Sequence, residues 1–252
     1  FVVCLLLCVG FSGGLNREPE TTTVKAEVHP SAIANRQNIS QATGPAIQAV
    51  QDVTQSAVSE PEDKILVLDA GHGGNDEGAW DQSGKRLEKN YNLKIVRMLK
   101  ERFDQTEGIQ VYYTRLEDKE MTKKARVALA NKLHADAFVS IHCNASDPGD
   151  TASQGVETLY SKRKTGTSLS NKALAQNIVD RLAEVTGRKN RGTIRREGLY
   201  LMHHSKVPTT IVEIGYMSNK SDMKYLDSDK GSKKIVDGIY DGIMTSLEGE
   251  TE

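Results

Sequence analysis

The chain alternates short, continuous apolar runs with longer stretches in which apolar residues recur every three or four positions. The first kind predicts buried strands and the second amphipathic helices. Ile65 to Leu68 is such a run, and it stops abruptly at Asp69-Ala70-Gly71-His72-Gly73-Gly74. A polar loop, Asn75 to Arg86, follows and carries the only tryptophan, Trp80. Leu87, Tyr91, Ile95, Met98, Leu99 and Phe103 then fall at helical spacing, and Gly108 ends that segment. Ile109 to Tyr113 predicts a strand, Met121 to Leu133 a helix, and Ala137 to His142 another strand. After the polar loop Asn144 to Gln154, Gly155 to Tyr160 reads as a strand and Ser168 to Val185 as a helix. Asn190 to Arg196 reads as a basic, polar loop, and Leu199 to Met202 as a short strand. Thr209 to Ile214 is the last strand, before helices over Asn219 to Leu226 and Gly231 to Leu247. Strands alternating with helices predict an α/β sheet with helices on its faces, in one domain spanning residues 63–248.

The first 62 residues do not share this pattern. Phe1 to Val9 are all apolar or Cys, too short for a bilayer-spanning helix of about 20 residues but long enough for the core of a secretory signal. Residues 1–14 are therefore read as a truncated signal and the protein as exported. Cys8 offers a lipid-anchor position, but Leu7 precedes it where bacterial lipoprotein signals carry a small residue. Residues 15–62, rich in Thr, Ser, Gln and Asn, read as a polar tether, with a short helix near Ala46 to Val58.

Composition narrows the function by exclusion. The net charge of −1 lacks the basic excess of a nucleic-acid binder, and aromatics at 5% provide no base-stacking platform. Cys4 and Cys8 lie in the leader and Cys143 in a core strand, so no disulfide framework exists and Cys143 is expected to be a free buried thiol.

Chemistry is expected where strands end, because ligands in open α/β sheets lie beyond the strands' carboxyl ends. His72 follows the first strand, His142 ends the third, and Glu213 lies near the end of the last. Glu88 opens a helix close behind His72. A carboxylate inside Thr209-Thr210-Ile211-Val212-Glu213-Ile214 is rarely buried without a partner or a metal. Two imidazoles and a carboxylate, with one position left for water, make the ligand count of a catalytic zinc site. A second carboxylate then serves as general base for water whose pKa the ion lowers towards roughly 7. His29, His134, His203 and His204 are assigned to solvent or local hydrogen bonds, and Arg115 to a structural role beside Glu117 or Asp118.

Three stretches, Leu68 to Gly74, Ser140-Ile141-His142-Cys143-Asn144-Ala145-Ser146 and Val212 to Asn219, closely resemble the signatures of zinc-dependent N-acetylmuramoyl-L-alanine amidases of the amidase-3 type. Thr114-Arg115 and Gly155-Val156-Glu157-Thr158 also fit, and the resemblance runs from about Lys64 to Leu247. It implies a mixed, twisted sheet flanked by helices, zinc held by His72, Glu88 and His142, and Glu213 as the catalytic carboxylate. It further implies that the substrate is peptidoglycan, cut at the amide between N-acetylmuramic acid and the L-alanine of the stem peptide. Autoinhibited members carry an inserted helix over the zinc; Asp147 to Gln154 leaves no room for one, so an open site is expected. Arg191, Arg195 and Arg196 are candidates for binding substrate carboxylates, since arginine forks match that geometry, and Asn144 is a further candidate contact. The chain is expected to act as a monomer. A zinc peptidase cutting within the stem would use the same metal chemistry, and a wall-binding module without metal would not need Glu88 and Glu213.

Overall fold

A computed structural model describes residues 63–147 and 149–249. The predicted leader, Cys8, His29 and the tether with its short helix lie outside the described residues. In chain order the elements are β1 (Lys64–Ala70), α1 (Glu88–Phe103), β2 (Ile109–Tyr113), α2 (Lys123–Lys132), β3 (Ala137–Asn144), β4 (Val156–Tyr160) and α3 (Asn171–Thr186). They continue with β5 (Asn190–Arg195), α4 (Tyr200–His204), β6 (Thr209–Tyr216), α5 (Lys220–Asp227) and α6 (Asp229–Glu248). Side chains of Thr122, Ser170, Asn219 and Ser228 accept backbone N–H groups at the starts of α2, α3, α5 and α6. These caps fix where four helices begin.

The strands form one sheet in the order β2-β1-β3-β6-β4-β5. β1, β2, β3 and β6 are parallel, β4 is antiparallel to β6, and β5 is parallel to β4. The sheet is therefore mixed, as expected. Alternation along the strands splits the core in two. Leu66, Leu68, Val139, Ile141, Val212 and Ile214 pack on the side of α1, α3 and α6. Val67, Phe138 and Ile211 face the other way, towards Val127 of α2 and Leu201 and Met202 of α4. Helices thus cover both faces. Because β4 and β5 run against the rest, their amino ends share a rim with the carboxyl ends of β1, β3 and β6. His72, Glu88, His142 and Glu213 gather on that rim.

Two local expectations are corrected. Leu199–Met202 is not a strand: Tyr200–His204 closes a single helical turn that buries Leu201 and Met202 against the second core. Asn190–Arg195 is not a loop but the edge strand β5, whose polar side chains are tolerated because it pairs on one side only. No helix occurs between β3 and β4 among the described residues. Cys143 is a free, buried thiol.

Candidate metal centre

The turn after β1 gives His72 a left-handed backbone (φ 61°), a conformation few non-glycine residues hold without support. The support comes from below. Arg126 on α2 donates to the carbonyls of Ala70 (2.7 Å) and His72 (2.6 Å), and Arg115 to those of Ala70 and Gly71 (both 2.8 Å). Arg126 is itself paired with Asp69, which also accepts from Thr114 and Ser140 hydroxyls at 2.5 Å. Burial alone would raise the Asp69 pKa, but Arg126 and the two hydroxyls outweigh it and hold the carboxyl below its usual range. Arg115 therefore binds carbonyls, including those of Lys89 and Glu117, rather than the carboxylates of Glu117 or Asp118.

Above this clamp three donors converge. Glu88 Oε1 lies 3.2 Å from His72 Nε2 and 2.9 Å from His142 Nδ1, and one donor atom from each residue falls within 4.8 Å of the others. The carboxylate is buried and oriented by Ala79 N (2.8 Å), Cys143 N (3.1 Å) and Asn92 Nδ2 (3.2 Å). Burial opposes its charge, yet the two imidazoles hold its pKa far below the carboxylate range. Asp76 Oδ1 sits 2.8 Å from His72 Nδ1, which directs the lone pair of Nε2 into the cluster. Two glycines complete the cradle. A Cβ on Gly78 would stand 2.6 Å from Glu88 Oε2 and 2.8 Å from His72 Cδ2, and one on Gly71 would enter the His142 ring.

Glu213 pairs in register with His142 across β3 and β6, so the two side chains share a face one strand spacing apart, about 4.8 Å. Its Oε2 is buried and has no hydrogen-bond partner among the described residues. Burial, with the charges of Glu88 and Glu157, pushes its pKa well above the carboxylate range. An unpartnered carboxylate oxygen costs free energy unless a ligand completes it. A nitrogen-oxygen donor set, a glycine cradle and an orphan carboxylate beside them fit a small, borderline-soft cation such as zinc.

Around the centre stand Arg191 and Asn144, both candidate contacts, held by Glu157 and Tyr216, to which the sequence reading gave no role. Glu157 pairs in register with Glu213 and is buried. It accepts from Arg191 Nε (2.7 Å), Asn144 Nδ2 (2.8 Å) and the Tyr216 hydroxyl (3.0 Å). Register shifts between His142 and Asn144, and between Val156 and Thr158, put an extra residue into β6 and into β5. Such bulges re-aim side chains, here Tyr216 and Arg191 towards Glu157. Arg191 and Asn144 thus stand at the rim. Arg195 and Arg196 do not: β5 carries them to the far end of the sheet, where Arg195 pairs with Glu197 (2.7 Å) and Arg196 N bonds Tyr160 O. His203 and His204 are exposed on α4, also away from the centre. Asp76 was findable, because an acid four residues from a candidate ligand is a natural orienting partner. Arg126 gave no signal, being one polar position on an otherwise ordinary helix.

A hydrolase built on a mixed α/β sheet is the class this rim defines. Residues 66–245 match the Amidase_3 family, N-acetylmuramoyl-L-alanine amidase, and the chain belongs to that family. It is 33% identical over 195 residues to the germination-specific N-acetylmuramoyl-L-alanine amidase of Bacillus subtilis, covering 72% of this chain and 78% of that protein. It is 33% identical over 191 residues to the probable cell wall amidase LytH of Staphylococcus epidermidis, where 75% of this chain spans 60% of the relative's length. The catalytic domain of CwlV, an N-acetylmuramoyl-L-alanine amidase from Bacillus (Paenibacillus) polymyxa, has a similar structure. It superposes with a TM-score of 0.67 at 34% identity, over 73% of this chain and 98% of that domain. No helix among the described residues is long and apolar enough to cross a membrane.

Proposed function

We propose that the chain hydrolyses the amide between the lactyl group of N-acetylmuramic acid and the L-alanine of the peptidoglycan stem peptide, with zinc as its metal. The observation that carries this reading is the convergence of His72, Glu88 and His142 beside the unpartnered oxygen of Glu213. A zinc ion held by the three donors would supply a Lewis acid and lower the pKa of water towards roughly 7. Glu213 takes the proton from the attacking water and delivers it to the departing amine nitrogen. Burial beside Glu88 and Glu157 keeps its carboxyl ready to hold a proton between those two transfers. Asp76, Asn92 and the glycine cradle keep the donors in place meanwhile.

Digestion of purified peptidoglycan, with and without a chelator, tests this reading. Intact stem peptides beginning with L-alanine are the expected product by mass spectrometry. The chelated protein is expected to be inert, with turnover returning on zinc but not on magnesium, which prefers oxygen ligands. Fragments cut within the stem would assign a peptidase instead.

Of the arginines, Arg191 is proposed to receive a substrate carboxylate. Glu157 fixes its Nε, the Tyr216 ring lies 5.0 Å from its Cζ, and its side chain keeps 30% exposure at the rim. Asn144, with its Nδ2 held by Glu157, acts by steadying that pair. Arg191→Ala is expected to raise KM about tenfold for stems with free carboxylates, the loss of one charge-assisted hydrogen bond, with kcat little changed. Stems whose carboxyls are amidated should lose far less. Equal losses on both substrates would make Arg191 structural.

A further inference from the structure

At the opposite end of the sheet from the metal centre, beyond the carboxyl end of β4, lies a cavity of about 680 Å³. Its lining includes Lys162, Arg163, Lys164 and Lys172, all exposed, and no acidic residue occurs between Tyr160 and Lys172. Arg195 and Arg196 flank it, since Arg196 N bonds Tyr160 O and Arg195 shares Glu197 with Lys162 N (3.0 Å). Glu197 pairs with Arg195 and also lies in the field of Lys162, while Arg163, Lys164 and Lys172 have no ion-pair partner among the described residues.

This loop is built, not merely basic. Asn171 is buried at the start of α3, and its Nδ2 donates to Ser161 O (3.2 Å) and Arg163 O (3.1 Å). Its Oδ1 accepts Thr209 N at 2.8 Å, tying the loop to the first residue of β6. Arg163 Nη1 reaches His203 O at 3.0 Å, fixing the loop to α4 as well. Like charges held this way repel one another, which a polyanion relieves. Lysines as point charges suit phosphate.

We infer that this cleft holds a linear phosphodiester polymer of the cell envelope, leaving the metal rim free to work. The choice of a wall polymer rests on the proposed function; the basic cleft itself does not. Nucleic acid is disfavoured because Tyr160, the aromatic in the lining, is buried, so bases find no stacking surface. A membrane surface is disfavoured because the cleft is concave and, among the described residues, only Trp80 and Leu199 are exposed large apolar side chains.

The test uses the full chain and poly(glycerol phosphate), read by co-sedimentation or biosensor across a salt series. With three or four phosphates engaged, log affinity should fall with log salt at a slope of roughly −2 to −3. The triple variant K162Q/K164Q/K172Q should bind about tenfold or more weakly at low salt, with a flatter slope. Its rate on a small soluble muropeptide should be unchanged, which also certifies its fold. The charge-keeping K162R/K164R/K172R should bind like wild type, and K124Q/K220Q/K230Q, altered elsewhere, should too. Undiminished binding by the first variant, or an equal loss by the last, would overturn the inference. So would binding to phosphatidylglycerol vesicles without binding to the polymer.

Discussion

Glu213→Gln is expected to cut hydrolysis by a factor of about 10²–10⁴ while leaving the metal in place. The substitution keeps the shape of the side chain and removes only its capacity to take up and release a proton. Glu213 lies outside the group of donors within 4.8 Å of one another, so metal content measured on the purified variant should match wild type. Stability should not fall, because Oε2 has no hydrogen bond to lose and burial already disfavours the charged form. Inactivation at equal melting temperature and equal metal content is therefore the expected triad of results. A variant with full turnover would mean that another carboxylate moves the proton. Glu157 is the obvious substitute, since it shares the face in register, but its oxygens are committed to Arg191, Asn144 and Tyr216. A fall in metal content would instead make Glu213 a ligand.

The four central residues were legible because each sits at a punctuation point of the pattern. His72 and His142 follow apolar runs, Glu88 opens a helix, and Glu213 is a charge in an otherwise apolar strand. The resemblance around them implied which is ligand and which is base, roles that spacing alone leaves open and that are proposed above. Glu157 was not legible for a reason of topology. It stands at the start of a strand, and only the antiparallel course of β4 brings that start to the rim where the other strands end. Strand direction is not written in local pattern. Nor are bulges, and without the extra residue in β6 Tyr216 would point away from Glu157. β5 was hidden by its polar composition, which edge position permits, and α4 by its length of five residues, too short to display a helical period. Arg195 and Arg196 looked like rim residues only while their segment was read as a loop; as part of a strand they are carried to the far end.

Replacing Gly71 with alanine is expected to damage the metal centre nearly as much as removing a ligand. The added Cβ would occupy the space of the His142 imidazole, so either the backbone at 71 or the ring must move. The backbone is held on three sides. Gly71 N donates to Ile141 O (3.0 Å), and its carbonyl accepts from Arg115 Nη2 (2.8 Å) and Asn92 Nδ2 (3.2 Å). Arg115 is itself buried. The ring, 19% exposed and facing the open rim, is the softer of the two, and its displacement takes Nδ1 away from Glu88. Overpacking of this kind costs about 1–3 kcal/mol, and a ligand pushed out of line should lower metal affinity by at least the 10–100-fold seen when outer supports are lost. Competition against a chelating dye reads the affinity directly. Excess zinc should restore part of the rate in Gly71→Ala but none in Glu213→Gln, which separates a defect of binding from a defect of proton transfer. Gly198→Ala, at a position where a Cβ meets nothing within 4 Å, should behave as wild type throughout. Wild-type affinity in Gly71→Ala would mean that the imidazole does not bind metal from the position it holds against Gly71, and His142 would leave the ligand set.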